Sequence, residues 1–221
     1  MFKVIGIDEA GKGPVIGSMF IGFAIINLEK KEDLESYNIH LQDKGVCDSK
    51  KLSPTNRQLI FNQLKDNLDM KFVQLSPGII DQNNKDNGKL NDLEVSAIAQ
   101  IVNSEKPNLV IIDALTANPL KFKEKLKSVF TVDCEIISEN KADSKYPLVS
   151  AASIIAKELR EQEVSQIKNN LSIDFGSGYP SDPKTIEFLK KYYADKKVLP
   201  FVRTSWETYK KLNEKNLSSY F

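Results

Sequence analysis

The segment NLVIID, residues 108–113, is an almost unbroken apolar run that ends on a carboxylate. Such a run reads as a β-strand buried on both faces, which requires helices packed above and below it. FKVIGID at residues 2–8 has the same character and also ends on an acid. Gly11, Gly13 and Pro14 then break the chain, and VIGSMFIGFAII at 15–26 reads as the returning strand of a hairpin. A charged loop leads to Ser53-Pro54, where a hydroxyl cap and a first-turn proline start a helix. MKFVQLS (70–76) reads as a strand, PGIIDQNNKDNG (77–88) as turns, LNDLEVSAIAQIVNS (90–104) as an amphipathic helix and FTVDCEIIS (130–138) as a strand. A long helix begins at Pro147, and its Ser150, Ala151, Ala152 and Ser153 are small enough to let it lie close to a sheet. Two or three short helices follow FGSGYPSD (175–182). Strands and helices that alternate after an initial meander predict an α/β fold, a mixed sheet flanked by helices, with a helical C-terminal part.

Several chemistries are excluded early. Cys47 and Cys134 stand far apart with no CxxC partner, so neither a disulfide framework nor a zinc site is expected. His40, the single histidine, lies in the polar stretch YNIHLQD and reads as a surface residue. Catalysis by such a chain must rest on carboxylates and lysines. No apolar run reaches the ~18 residues that a membrane span needs, and an acidic pair at 8–9 is foreign to a signal peptide. The expectation is a cytoplasmic monomer. The 31 basic and 30 acidic residues nearly cancel, but they are unevenly placed: residues 184–215 hold nine basic and four acidic, leaving 22 and 26 elsewhere. A basic end beside a slightly acidic body suits a protein that grips phosphates with one part and cations with another.

Four acids look placed. Asp8 and Glu9 lie at the end of the first strand, Asp113 at the end of the buried apolar strand, and Asp143 in the turn NKADSKYP before the long helix. Ligands of α/β sheets bind at strand carboxyl ends. Acids at the ends of apolar strands are costly unless solvated, paired or bound to cations. With few lysines or arginines expected nearby, three or four carboxylates in one place call for divalent ions, and oxygen ligands favour Mg²⁺ or Mn²⁺ over zinc. Two such ions about 4 Å apart can activate a water and stabilise the leaving oxygen of a phosphodiester. Gly11-Lys12-Gly13 lacks P-loop spacing, but a tight glycine turn can bring backbone N–H groups up to a ribose or phosphate.

Taken together, GIDEAGKGPVIG (6–17), DSKKLS (48–53), LNDLE (90–94), IIDAL (111–115), KADSKYPLVSAASIIAK (141–157) and GSGYPSDPKT (176–185) occur in the order found in type 2 ribonucleases H. Over nearly its whole length the chain resembles the ribonuclease HII family, especially the archaeal form. The resemblance implies a ribonuclease H-like catalytic domain over 1–172, a helical substrate-binding part over 173–213 and a tail over 214–221. It implies metal binding and catalysis by Asp8, Glu9, Asp113 and Asp143, the acids selected above. It places the family's nucleotide-contacting glycine turn on Gly11, Lys12 and Gly13, its junction-sensing tyrosine on Tyr179, and phosphate-contacting lysines on Lys50, Lys51 and Lys157. The implied activity is endonucleolytic hydrolysis of the RNA strand of RNA–DNA hybrids and incision at ribonucleotides embedded in DNA, using two ions and leaving 5′-phosphate and 3′-hydroxyl ends. A 2′-hydroxyl sensed by a glycine turn and a stacked tyrosine would separate RNA from DNA.

Three positions depart from the family pattern: Lys12 stands for the commoner Arg, Asn140 for a His, and Glu161 for an Asp expected outside the metal site. Lys and Arg are not interchangeable where a planar fork is used, so weaker side-chain contact with intact backbone contacts is expected at position 12. The last residues resemble a clamp-binding box, with Leu217, Tyr220 and Phe221 spaced as a one-turn apolar plug and Glu214 in place of Gln. They point to a replication sliding clamp as partner. Two alternatives stay open: a related ribonuclease H-fold nuclease with another substrate, such as a junction resolvase or a type 3 enzyme, and a non-catalytic nucleic-acid or clamp-binding module. Four intact acids disfavour the second, because concentrated negative charge facing phosphate gains a pure binder nothing. The type 3 enzymes carry an additional N-terminal domain for which this length leaves no room.

Overall fold

Phe2–Ala10 (β1) and Met19–Leu28 (β2) form an antiparallel pair, with Phe2 opposite Leu28 and Ala10 opposite Phe20. Leu109–Asp113 (β4) runs parallel to β1, and Glu135–Glu139 (β5) runs parallel to β4. Asp69–Leu75 (β3) borders β2, so the five-stranded sheet has the order β3-β2-β1-β4-β5. The structure, a computed structural model, describes the backbone of residues 1–218 and side chains of residues 1–212. Tyr220, Phe221 and the side chain of Leu217 lie outside the described residues. The expected mixed α/β sheet is present. Val4, Ile5, Ile7, Ile21, Phe23, Val110 and Ile112 are fully buried, as strands covered on both faces must be.

The helices are Asp33–Asp43 (α1), Pro54–Leu64 (α2), Pro77–Lys85 (α3), Leu90–Glu105 (α4), Pro119–Val129 (α5), Ala142–Lys145 (α6), Pro147–Leu171 (α7), Pro183–Tyr192 (α8) and Glu207–Ser218 (α9). Three depart from the sequence reading. The stretch read as a charged loop contains α1, which buries only Leu41 and so shows no apolar stripe. The stretch 77–88, read as turns, begins with α3: Ser76 Oγ accepts from Ile79 N–H, and Pro77 occupies the first turn. Helix α5, absent from the sequence reading, starts on Asn118 and Pro119 in the same way. β5 is also shorter than the strand expected over 130–138.

Cα packing divides the chain into two compact units. The first holds residues 1–10, 20–73 and 94–158, and with them the sheet. The second holds 11–19, 74–93 and 159–221, a wider and discontinuous set than the expected 173–213. The reason is a separate apolar core, in which Val15, Ile16, Val164 and Ile167 pack with Phe175, Phe188, Leu189 and Val202. Residues 15–16, far away in sequence, are drawn in to pack with residues 164–202.

In the first unit the helix–sheet contact is backbone on backbone. A Cβ at Gly22 would lie 2.4 Å from the Ala152 carbonyl oxygen, and one at Gly6 would lie 2.5 Å from that of Leu148. The small residues of α7 serve this approach as expected. Arg57 Nε and Glu158 Oε1 form a largely buried pair at 2.6 Å. Glu105 is bonded by Lys71 and by Lys3 Nζ (3.0 Å), and these cations hold its carboxyl below the usual range.

Gly22→Ala should cost about 2–3 kcal/mol in urea unfolding through overpacking. Gly78→Ala, at an exposed point of α3 where a Cβ meets nothing within 4 Å, should be neutral or stabilise by up to about 1 kcal/mol. Glu105→Gln should cost about 1 kcal/mol at pH 7. Because the folded-state pKa of Glu105 is depressed, its contribution is present above the ordinary carboxylate pKa and lost as pH falls. The difference from wild type should therefore shrink towards pH 3.

Candidate active site

β1 and β4 are parallel neighbours, and their register pairs Ile7 with Ile112. The next residues, Asp8 and Asp113, therefore emerge side by side at the carboxyl ends of adjoining strands. Asp143 reaches the same place from α6, which follows β5 directly. Lys141 enters that helix in the left-handed region at φ 59°, and Ala142 N–H donates to Asp113 Oδ1 at 3.0 Å. Asp8 and Asp143 are only 6% and 2% exposed, and Asp113 is half-buried. The partly exposed Glu9 follows Asp8 and donates its N–H to Asp8 Oδ1 at 2.8 Å.

Burial pushes Asp8 up to about 7, helped by the charges of Asp113 and Asp143 and opposed by hydrogen bonds from Ser153 and Glu9 N–H. Burial, with Asp143 beside it, also raises Asp113. Three carboxyl groups thus repel one another in a poorly solvated place.

The sequence-based expectation of few nearby cations needs correction. Lys50 Nζ lies 3.2 Å from Asp143 Oδ2, and Lys157, lowered by burial, senses Asp8 and Asp143. Lys50 comes from a short 3₁₀ turn, Ser49–Lys51, capped by Asp48. Lys157 donates to Ser49 Oγ, whose oxygen lies 2.8 Å from Ser153 Oγ. Ser153 in turn bonds Asp8. With Ser49 donating to Ser153, every hydroxyl in this chain gives one hydrogen bond and receives one. Ser49 and Ser153 were not singled out as site residues, since single serines carry no spacing signal. Lys51 is exposed and lines a cleft of about 420 Å³ with Cys47, Asp48, Ser144 and Lys145.

Among the described residues, no group of three or more His, Cys, Asp or Glu side chains is arranged tightly enough to hold a metal ion as it stands. Lys50, the serines and backbone N–H groups engage the carboxylates instead. The donor set nevertheless fits a hard divalent cation. It consists of buried carboxylate oxygens that repel one another, the arrangement a cation relieves.

A second cluster lies within the other unit. Gly11 sits at φ 83°, where a Cβ would meet Ser18 O at 2.8 Å. A Cβ on Gly13 would touch the Tyr179 ring at 3.5 Å, so the glycine turn and the tyrosine are neighbours. Arg160 stacks on the Tyr179 ring with its guanidinium carbon 5.0 Å from the centroid, and donates to Ser177 O at 2.8 Å. Lys12 Nζ donates to Asn91 Oδ1 at 2.9 Å. Glu161 pairs with Arg160 and is half exposed, outside the carboxylate cluster. The fully buried Arg203, which sequence reasoning missed, donates to carbonyls of the segment carrying the glycine turn. An arginine in the otherwise uncharged stretch VLPFVRTSW was the available signal.

A family model described as Ribonuclease HII matches residues 5–209. Ribonuclease HII of Pyrococcus horikoshii is 41% identical over 217 residues, covering 96% of this chain and 94% of that protein. The crystal structure of ribonuclease H2 from Pyrococcus horikoshii superposes with a TM-score of 0.85 at 40% identity, covering 97% of this chain and 98% of that one. The ribonuclease HII in the PCNA:RNase HII complex from Archaeoglobus fulgidus gives 0.80 at 33% identity, over 93% and 96% of the two chains.

Proposed function

Because the chain belongs to the ribonuclease HII family, and is an endoribonuclease, we propose that it hydrolyses the RNA strand of RNA–DNA hybrids and incises DNA at embedded ribonucleotides. The observation that carries this reading is the convergence of Asp8, Asp113 and Asp143 beside Lys50 and Lys157. Asp8, Glu9, Asp113 and Asp143 would hold two Mg²⁺ or Mn²⁺ ions. When bound, these supply an activated water and charge neutralisation at the leaving 3′-oxygen, giving 5′-phosphate and 3′-hydroxyl ends.

The chain's own residues do the positioning. Ser153 and Glu9 N–H fix the Asp8 carboxylate, and Ala142 N–H fixes that of Asp113. Asp143, seated at the start of α6, would complete the site and help orient the attacking water. Lys50 and Lys157 present cations where a phosphodiester would lie, and Lys51 extends the basic edge outward. The Gly11-Lys12-Gly13 turn, through its backbone N–H groups, and the ring of Tyr179 form the contact to the nucleotide that carries the 2′-hydroxyl. The lysine-rich α8 and α9 grip the duplex backbone, so affinity should fall steeply with salt.

Leu217, Tyr220 and Phe221 are the proposed contact to a replication sliding clamp, supported by their spacing and by the Archaeoglobus fulgidus complex. Among the described residues, no helix is long and apolar enough to cross a membrane.

The test is cleavage of a DNA duplex containing one ribonucleotide, with Mg²⁺ or Mn²⁺. Asp8→Asn, which keeps the shape and removes a charge, should lose at least about a hundredfold in kcat. Calorimetric Mn²⁺ binding should weaken in the same variant, and chelation should abolish wild-type cleavage reversibly. Cleavage that survives both the substitution and the chelator would refute the mechanism. Deleting residues 214–221 should abolish clamp binding while leaving cleavage without the clamp intact.

A further inference from the structure

Arg203 is completely buried, and all three of its guanidinium nitrogens donate to one short segment. Nε reaches Gly17 O at 2.9 Å, one terminal nitrogen reaches Lys12 O at 2.9 Å and the other Gly11 O at 2.6 Å. The Trp206 indole N–H points to the remaining carbonyl of the turn, Gly13 O, at 3.4 Å, and its ring lies under the guanidinium with 4.9 Å from carbon to centroid. Every carbonyl of Gly11-Lys12-Gly13 is thus turned towards Arg203 and Trp206.

A trans peptide holds its N–H opposite its carbonyl, and the chain has no cis peptide bond among its described residues. The carbonyls of Gly11 and Lys12 face Arg203, so the N–H groups of Lys12 and Gly13 face the other way. The third peptide ends in Pro14, which has no N–H to present. The clamp therefore fixes which two donors the turn shows and in which direction.

Arg203 and Trp206 are themselves fastened by Asp81 of α3. Its Oδ2 accepts from Thr204 N–H (2.8 Å) and Oγ1 (2.7 Å). Its Oδ1 accepts from Ser205 N–H (3.0 Å) and Oγ (2.6 Å). Asp81 is buried with all four donors satisfied. The two residues between Arg203 and Trp206 cannot shift without breaking this fork.

We propose that Arg203, with Trp206 and anchored through Asp81, is the positioning residue for substrate recognition: it orients the Lys12 and Gly13 N–H groups towards the ribonucleotide. This rests on the reading of the glycine turn as a substrate contact. Arg203 touches no substrate; it acts through the turn. The role needs a planar fork with several donors, which a lysine ammonium cannot reproduce across three carbonyls.

Steady-state cleavage of the single-ribonucleotide duplex by the full chain is the experiment, with each variant's fold checked by thermal unfolding. Arg203→Lys should raise KM about tenfold and leave kcat within about twofold, the signature of lost uniform binding. Trp206→Phe, which keeps a ring under Arg203 but removes the donor to Gly13, should raise KM about threefold. A purely structural role would lower the melting temperature or the active fraction, hence kcat, and leave KM where it was. That result in either folded variant overturns the proposal. If Arg203→Lys does not fold, Trp206→Phe decides alone. Gly13→Ala separates the two levels, since its methyl meets Tyr179 at ordinary contact distance. An unchanged KM in Gly13→Ala sinks the reading of the turn itself. A raised KM there with normal KM in the other variants sinks only the role of Arg203.

Discussion

Burial of carboxylates at the end of an apolar sheet is the constraint on which the rest of the structure depends. Asp8 and Asp143 are almost wholly removed from water, and Asp113 stands beside them. Isolated, such groups would be protonated or would destabilise the strands that carry them. The fold answers in layers. Parallel register sets two of the acids side by side, and Ser153 and backbone N–H groups bond them. Two lysines then stand within their field. The contact between α7 and the strands at Gly6 and Gly22 brings both Ser153 and Lys157 to the carboxylates, because both ride on that helix. Packing and electrostatics here are one problem, since a bulkier helix face would withdraw the groups that make the buried acids tolerable.

The second unit solves the converse problem. Its most deeply buried charge is a cation, Arg203, held by carbonyl dipoles rather than by a carboxylate in direct contact. Burial pushes its guanidinium down to about 10, helped by the charge of Arg160, which still leaves it cationic at neutral pH. A salt bridge would hold the arginine as firmly but would not organise the backbone. Carbonyl acceptors do so because each hydrogen bond also fixes a peptide plane. A carboxylate cluster proposed to be catalytic needs cations brought to it, whereas a turn proposed to recognise a nucleotide needs its carbonyls held so that its amides point the other way. Each unit has the buried charge that its proposed task requires.

Much of this was legible in the sequence, and the misses have physical causes. Among the described residues, α2, α3, α5 and α8 all begin with a capping Ser, Asn or Asp followed by proline. The rule that located the helix at Ser53-Pro54 would have found those at Ser76 and Asn118. The Asn- and Gly-rich composition around α3 obscured a cap that decides the conformation locally. Helix α1 was hidden for another reason, because it buries a single leucine and leaves no periodic stripe. Asp8, Glu9 and Asp113 stood out because strand ends in apolar runs are visible one residue at a time. The pairing of Lys50 with Asp143 joins residues 93 positions apart, and the grip of Arg203 on Gly11 joins residues 192 apart. No local pattern encodes such pairings. The core of the second unit shares that difficulty, since Val15 and Ile16 pack with residues 164–202, which lie far along the chain.

The lysine at position 12 shows how the backbone view changes the weight of a departure. Read as a side chain, Lys12 in place of arginine loses a planar fork and with it bidentate recognition. In the structure its ammonium is engaged with Asn91, a neighbour on α4, while its carbonyl is held by Arg203. On the proposed reading, what the turn offers a nucleotide is set by peptide orientation, and the carbonyls that fix that orientation are held by Arg203 and Trp206. Of the two glycines on either side, Gly11 is the constrained one. Gly11 occupies a positive φ with Ser18 O close by, and Gly13 abuts the tyrosine ring. On that proposed reading, specificity for a 2′-hydroxyl would persist through an Arg-to-Lys exchange, provided the buried arginine 191 positions away stays in place.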